Sequence, residues 1–466
     1  MRPRDATPAP DGFEVAVIGA GFAGIAMGVQ LERLGIPYTV YERREEMGGT
    51  WSTHEYPDIR VDTLSITYEF SFDEPHPWSE YFARGAEVRG YLETMADKHG
   101  VRGHIRLGHD LEDARFDEAR SRWQLRFRTP DGRCVEREAN VVVTAAGLFS
   151  KTKLPEIAGI DEFEGTIVHP TRWPHDLDLT GKRVAVVGNG STGVELLAWV
   201  AEAAEHVTVF QRTPQWISPR PNYGRPVEPE VRWLFDHLPG YWNWARFTSI
   251  LALMTWHEDF LVPDPEWERQ GGHLTPKSEA LRETLIGYIR EQVGDRPDLM
   301  EKLVPDYAPM VRRPVVDNGW YRALTRDDVA LETAGITRLT RDGIEAADGK
   351  VHAVDIVVFA TGFEVDQFLW RAEYHGVGGS NLRDYWAPHS PRAYLGMMVP
   401  GFPNFFMLYG PNSQPVSGGI SLPSWFQIWA AYVAQCLDEM FEHGHARVAV
   451  KEEAFQRFNA ALDAEA

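Results

Sequence analysis

An α/β fold of two nested Rossmann-like units, the second carrying a helical insertion, is predicted by three features of this sequence. An apolar run enters a glycine-rich hexapeptide twice. Phe13–Ile18 leads into Gly19-Ala20-Gly21-Phe22-Ala23-Gly24, and Arg183–Val187 into Gly188-Asn189-Gly190-Ser191-Thr192-Gly193. A helical pattern follows each hexapeptide, so each reads as a buried parallel strand, a tight turn and a helix. The third feature is a second repeated strand, Val141–Gly147 and Ile356–Gly362, ending both times in Ala-x-Gly. The first unit takes residues 1–155 and resumes over 360–466; the second takes 156–220 and 306–359. Residues 221–305 interrupt the second with helical, aromatic-rich sequence that includes Trp233, Tyr241, Trp242, Trp244, Phe247 and Trp256. Those aromatics read either as ordinary helix packing or as a wall over a substrate cavity.

Composition narrows the function classes. With 466 residues, 43% of them hydrophobic and 25% charged, the chain can build two or three packed domains. A formal net charge of -21 argues against nucleic acid and anionic membrane surfaces as partners. The two cysteines, Cys134 and Cys436, form no C-x-x-C pair, which argues against a disulfide framework and a redox-active dithiol. Residues 1–12 are polar and proline-rich, and the most apolar stretch, Ile250–Met254, is far too short to span a bilayer. A reducing cytoplasm is the expected compartment.

In the first hexapeptide, Gly19, Gly21 and Gly24 permit a tight turn and close approach of the backbone to a pyrophosphate. The helix that follows offers N–H donors and a positive dipole end. The next strand, Tyr38–Tyr41, ends at Glu42, where a carboxylate can accept hydrogen bonds from a ribose diol. By analogy, the N-terminal position favours FAD.

The second hexapeptide, with Gly188, Gly190, Ser191, Thr192 and Gly193, repeats the arrangement. Its next strand, Val207–Phe210, ends at Gln211-Arg212-Thr213, with no acid where Glu42 stands. Arg212 suits the 2′-phosphate that distinguishes NADPH from NADH, with Thr213 adding a hydroxyl and Arg312 a second cation. The competing reading of Arg212 is a solvated surface charge. Without a dithiol, electrons passing from NADPH to flavin must go on to dioxygen, a carrier protein or a small acceptor.

Residues Phe163-Glu164-Gly165-Thr166-Ile167-Val168-His169-Pro170-Thr171-Arg172-Trp173-Pro174 follow the pattern F-x-G-x-x-x-H-x-x-x-W-P. This resembles the fingerprint of type I Baeyer–Villiger monooxygenases. The resemblance extends through Gly48–Trp51, Tyr56–Thr63, Arg313, Asp317–Trp320, Ala360–Phe363 and Leu408–Ser413, and spans residues 13–415. Several of these stretches are most similar to the 4-hydroxyacetophenone monooxygenase branch.

The resemblance implies an NADPH- and dioxygen-dependent conversion of a ketone to an ester or lactone through a flavin peroxide. It assigns the catalytic arginine to Arg313, whose guanidinium stays charged and can stabilise the anionic peroxide and the oxyanion of the adduct. It assigns the carboxylate that steers this arginine to Asp62. Arg60 and Asp62 match positions that touch the nicotinamide cofactor; Thr50, Trp51 and Tyr68 match flavin contacts. His169 takes a hinge or structural role, and no second ligand stands near it at metal-binding spacing.

The sequence departs from the family in three places. Pro57-Asp58 replaces Pro-Gly; if that turn needs a positive φ, aspartate tolerates it better than most residues. Arg312 replaces a lysine. The chain stops at Ala466, short of the family's tryptophan-bearing C-terminal segment, which implies a less covered cavity and leakage to hydrogen peroxide. Gly418-Gly419 reads as either a lid hinge or an ordinary turn. Two other functions compete. A flavin monooxygenase attacking sulfur or nitrogen needs no arginine beside the flavin. An uncoupled NADPH oxidase, an inactive relative or a nucleotide-responsive scaffold would be recognised by missing product or missing flavin colour.

Overall fold

The computed structural model describes residues 7–254, 260, 262–272, 274–413 and 420–465. Trp256 and the Gly418-Gly419 pair lie outside the described residues. In chain order the strands that position the site are β1 (Val15–Ile18), β2 (Tyr38–Tyr41), β3 (Ile105–Arg106), β4 (Val141–Thr144), β5 (Thr166–Val168), β6 (Arg183–Val187), β7 (His206–Phe210), β8 (Ile217–Ser218), β9 (Val315–Val316), β10 (Val329–Glu332), β11 (Ile356–Phe359) and β12 (Phe405–Met407).

Two five-stranded parallel sheets result. The first has the order β12-β4-β1-β2-β3 and the second β10-β7-β6-β11-β5. All four residues of β4 and all four of β11 are buried, as strands covered on both faces require. Because β12 follows every strand of the second sheet in sequence yet pairs with β4, the second unit is nested within the first. An antiparallel sheet built on Asp110–Asp117, Arg122–Arg128 and Cys134–Ala139 adds to the first unit through Glu373–His375.

The units are joined by two crossings that run side by side. Thr152 and Phe363 form an antiparallel bridge; the Lys153 amide donates to the Gly362 carbonyl at 2.9 Å and the Glu364 amide to the Lys151 carbonyl at 3.0 Å. His169 of the F-x-G-x-x-x-H-x-x-x-W-P stretch sets its ring edge-on to Phe363 at 5.9 Å.

Helices α1 (Phe22–Leu34), α2 (Thr50–Thr53) and α3 (Ser191–Ala203) lead out of glycine turns. The insertion contributes α4 (Pro229–His237), α5 (Tyr241–Met254), α6 (Pro276–Val293) and α7 (Pro297–Leu303), with Pro265–Arg269 as a short turn between. Its later half belongs to the second unit: Leu285, Ile289 and Val293 of α6 and Leu299 and Leu303 of α7 are buried in that core. Its earlier half leans on the first unit, where Arg246 of α5 is buried and donates to the Glu69 carbonyl oxygen at 3.2 Å. The strand pair β8–β9 closes the neck of the insertion. Last, α8 (Leu422–Glu442) lays Phe426, Trp429, Ala430, Val433, Leu437 and Met440 into the first unit's core, at the spacing of one helical face.

Candidate active site

A cavity of about 530 Å³ lies between the units and is lined by both glycine loops. The two loops are built alike, and glycine is required at matched positions. Gly19 and Gly188 have φ of 112° and 111°. A Cβ on Gly19 would fall 2.6 Å from the Ala145 carbonyl oxygen, and one on Gly188 2.5 Å from that of Ala360. Gly24 and Gly193 press on their own loops: an added Cβ would sit 1.9 Å from the Gly19 oxygen and 2.2 Å from the Gly188 oxygen. The repeated Ala-x-Gly strand ends are therefore the roofs of the two loops.

Gly21 opens onto Gly49 at the start of α2, which carries Thr50 and Trp51 into the cavity. Trp51 meets Tyr68 edge to face at 5.6 Å. Glu42 lines the cavity and is buried. Its Oε2 accepts from the Ala20 amide at 2.9 Å and its Oε1 from the Arg44 amide at 3.0 Å. It braces the first loop and keeps lone pairs for a ligand.

Gly190, Ser191 and Thr192 line the cavity at the start of α3. Arg212 and Thr213 do not line it. They follow β7, where the buried Gln211 occupies the position that Glu42 holds after β2. Asn189 ties this segment to the second loop, donating to Gln211 Oε1 at 2.9 Å and the Thr213 carbonyl at 2.8 Å, and Arg212 is left exposed. Arg312 is also exposed and lies over the Tyr307 ring at 4.5 Å, while the Tyr307 hydroxyl reaches Gln215 Oε1 at 2.7 Å. Both cations thus stand at the edge of the second unit that follows β7, outside the cavity.

Arg313 enters from two residues before β9. Its Nη2 donates to Asp62 Oδ2 at 2.6 Å, across 251 positions of sequence. It projects into the open cavity, with 52% of its side chain accessible, so its donors are not all spent. Asp62 raises the Arg313 pKa above its already high ordinary value, so the guanidinium is permanently charged. Arg60 also lines the cavity but is held by Asp58 at 2.8 Å and by Glu80, on the strip where Arg60 bridges Arg84. Asp58 adopts φ 60°, so the turn at Pro57-Asp58 does take a positive φ, which aspartate tolerates better than most residues.

His169 stands outside the cavity lining; its Nδ1 lies 2.9 Å from the Thr171 hydroxyl, and burial lowers its pKa. Among the described residues, the one His and acid group close enough for a metal is Glu439, Glu442 and His443, all exposed at the C-terminal end of α8 and none lining the cavity.

Of the two readings of the insertion aromatics, packing or cavity wall, the described residues contradict the wall. None of those described lines the cavity; Trp233, Trp244 and Phe247 are exposed, and Trp242 packs inside with Arg246 over its ring at 5.2 Å. The cavity's aromatic surface comes instead from outside the insertion, with Trp51, Tyr56, Tyr68, Phe363, Trp370 and Tyr409 among its side chains. Tyr409 carries the left-handed φ of 75°, a strained conformation for a bulky residue. Sequence reasoning also missed Glu195 on α3. It is buried, accepts from the Tyr56 hydroxyl at 2.5 Å, and is pushed up to about 8, first by burial.

Known proteins share this arrangement. Residues 16–240 match the family described as pyridine nucleotide-disulphide oxidoreductase. An uncharacterized monooxygenase of Sinorhizobium fredii is 35% identical over 456 residues, covering 98% of this chain and 68% of the relative. A Baeyer-Villiger monooxygenase of Pseudomonas aeruginosa is 32% identical over 451 residues, covering 96% of this chain and 81% of the relative. This chain belongs to the Baeyer–Villiger monooxygenase family. The crystal structure of OTEMO in complex with FAD and NADP superposes on this Baeyer–Villiger fold with a TM-score of 0.83 at 29% identity, covering 97% of this chain and 90% of that one. A phenazine N-monooxygenase of Lysobacter antibioticus is 35% identical over 435 residues, covering 86% of this chain and 78% of the relative. The relatives do not single out the 4-hydroxyacetophenone branch. The disulphide-oxidoreductase match is one of scaffold, since Cys134 and Cys436 are both free.

Proposed function

We propose that this Baeyer–Villiger monooxygenase binds FAD at the first glycine loop and NADPH at the second, and converts a ketone to an ester or lactone with dioxygen. The observation that carries the reading is Arg313, a permanently charged guanidinium fixed by Asp62 in the cavity that both loops line. The loops fit dinucleotides because Gly19, Gly24, Gly188 and Gly193 leave no room for a Cβ, so backbone alone forms each turn ahead of a helix N-terminus. A flavin held there would supply the redox and oxygen chemistry, with NADPH as the reductant. The chain's own residues do the rest. Arg313 presents donors to the oxyanion that develops on the ketone oxygen, and Asp62 holds the fork in place. Thr50, Trp51 and Tyr68 back the flavin side and limit water entry. Arg60, fixed by Asp58 and Glu80, and Asp62 face the nicotinamide end. Arg212, Thr213 and Arg312 bind the 2′-phosphate, outside the cavity.

On this reading residues 1–155 with 360–466 form the FAD unit, 156–220 with 306–359 the NADP unit, and 221–305 the helical insertion. Two free cysteines fit a reducing cytoplasm, and among the described residues no helix is long and apolar enough to cross a membrane.

Arg313→Ala tests the reading. The variant should retain flavin and NADPH oxidation, while ester formation from an aryl or cyclic ketone falls by about 100-fold or more, the usual loss on removing one oxyanion donor. Ester formed at the parental rate would remove Arg313 from the reaction. Running the same assay with a thioether and an aromatic N-heterocycle covers the reaction named in the phenazine relative. Heteroatom oxygenation without any ester would replace the ketone reading.

A further inference from the structure

The wall between the units contains a carboxyl group with no cation of its own. Glu195 is 6% exposed, and its Oε2 accepts from the Tyr56 hydroxyl at 2.5 Å, across 139 positions of sequence. Both residues line the cavity. The arginines nearby are engaged elsewhere: Arg60 with Asp58 and Glu80, and Arg313 with Asp62. Asp58, Arg60 and Asp62 face Glu195 from the strip that carries Tyr56. Tyr223 faces it from the connector after β8, and on the same connector Arg220 interacts with Asp62. Thr192 on its own helix reaches Tyr56, and the Asn318 amide donates to the Glu195 carbonyl oxygen at 3.3 Å and to Asp58 Oδ2 at 3.0 Å.

A buried carboxyl without a cation is stable in its neutral form. Ionised, it would stand as a third anion beside Asp58 and Asp62, and repulsion would push the strip that carries them away from α3. The strip Tyr56–Asp62 presents the carboxylate that holds Arg313, and α3 opens with the second glycine loop. Glu195 and Tyr56 therefore join the two pieces whose alignment the site requires.

The geometry points to Glu195 and Tyr56 as positioning residues that form a proton-held clasp between the units. While Glu195 keeps its proton, the Asp62 strip stays seated on the helix that opens the second loop; losing the proton releases it. Burial is the largest force lifting the Glu195 carboxyl, Asp62 and Asp58 add to it, the Tyr56 hydrogen bond and Arg60 offset part of it, and the group is pushed up to about 8. Release thus occurs on the alkaline side of neutrality. The inference rests on the proposed NADP site at the second loop.

The test is the NADP⁺ dissociation constant of the FAD holoenzyme, read from the flavin absorbance perturbation between pH 7 and 9.5 at fixed ionic strength. If only the protonated form binds, affinity weakens about thirtyfold across that range. Glu195→Gln, which cannot ionise, abolishes the alkaline limb. Asp62→Asn shifts the limb to lower pH, and Tyr56→Phe, which deletes the bond between the units, weakens NADP⁺ binding already at pH 7. Glu69→Gln, at another buried carboxyl, leaves it where it is. A flat parental profile, or an unchanged limb in Glu195→Gln, overturns the clasp. Should Glu195→Gln fail to hold FAD, a limb left unmoved by Asp62→Asn together with parental affinity at pH 7 in Tyr56→Phe overturns it equally. NADP⁺ that binds at no pH sinks the cofactor assignment of the second loop instead.

Discussion

The guanidinium of Arg313 and the exposed Arg212 illustrate how differently two cations are used on one chain. Arg313 is paired, charged at every pH and aimed into the cavity. Arg212 is exposed beside a segment that Asn189 locks to the second loop. A 2′-phosphate reaching that edge would meet Arg212, with Arg312 nearby on Tyr307. Arg212→Ala should therefore lower the NADPH-over-NADH preference in kcat/KM by about tenfold, the worth of one charge-assisted contact. Selectivity equal to that of the parent would return Arg212 to the role of a surface charge. Arg313 and Asp62 were legible only through their motifs, since no local spacing links residues 251 apart. Glu195 and Tyr56 were not legible: their meaning arises from a contact between units, and each sits in a stretch read for other residues.

Whole elements were far easier to read. The two strand–turn–helix signals and the two Ala-x-Gly strands predicted both parallel sheets, because turn glycines and doubly buried strands are local properties. The packing of those strand ends supplies what the sequence lacked, the Ala145 and Ala360 carbonyls closing over Gly19 and Gly188. Gly188→Ala meets both the Ala360 carbonyl and a φ of 111°. It should abolish measurable NADP⁺ binding while leaving bound FAD in place, as read by flavin absorbance and NADP⁺ titration. Loss of FAD along with NADP⁺ would mean that the two loops fold as one unit. The insertion was the harder element. Its aromatic run predicted either packing or a cavity wall, yet Trp233, Trp244 and Phe247 face outward. The decisive residue is Arg246, a cation buried against Trp242 and Glu69, which composition alone marks as a surface charge.

For the molecule as a whole, two buried carboxyls tie stability to pH. Glu69 is 1% exposed; its Oε2 accepts from Trp78 Nε1 at 2.6 Å, and burial pushes it up to about 8, as it does Glu195. The folded state holds these protons from the ordinary carboxyl range, about 4.5, up to about 8, where the unfolded chain has released them. Stability is thus highest at the acidic end of that window and falls as pH rises through it. The holoenzyme should melt at a lower temperature at pH 8 than at pH 6, and Glu69→Gln should reduce the difference. A melting temperature that climbs over this interval would contradict the neutral state of both groups.

The side-by-side crossings at Thr152 and Phe363 have a consequence for motion. Two hydrogen-bonded chain segments are laid out like the spine of a book: a swing about that line would leave these bonds intact, whereas sliding along it would break them. Arg313 and the second loop ride on one cover, Asp62 and the first loop on the facing one. A swing that widened the gutter would draw arginine from aspartate by an arc whose length is set by their distance from the spine.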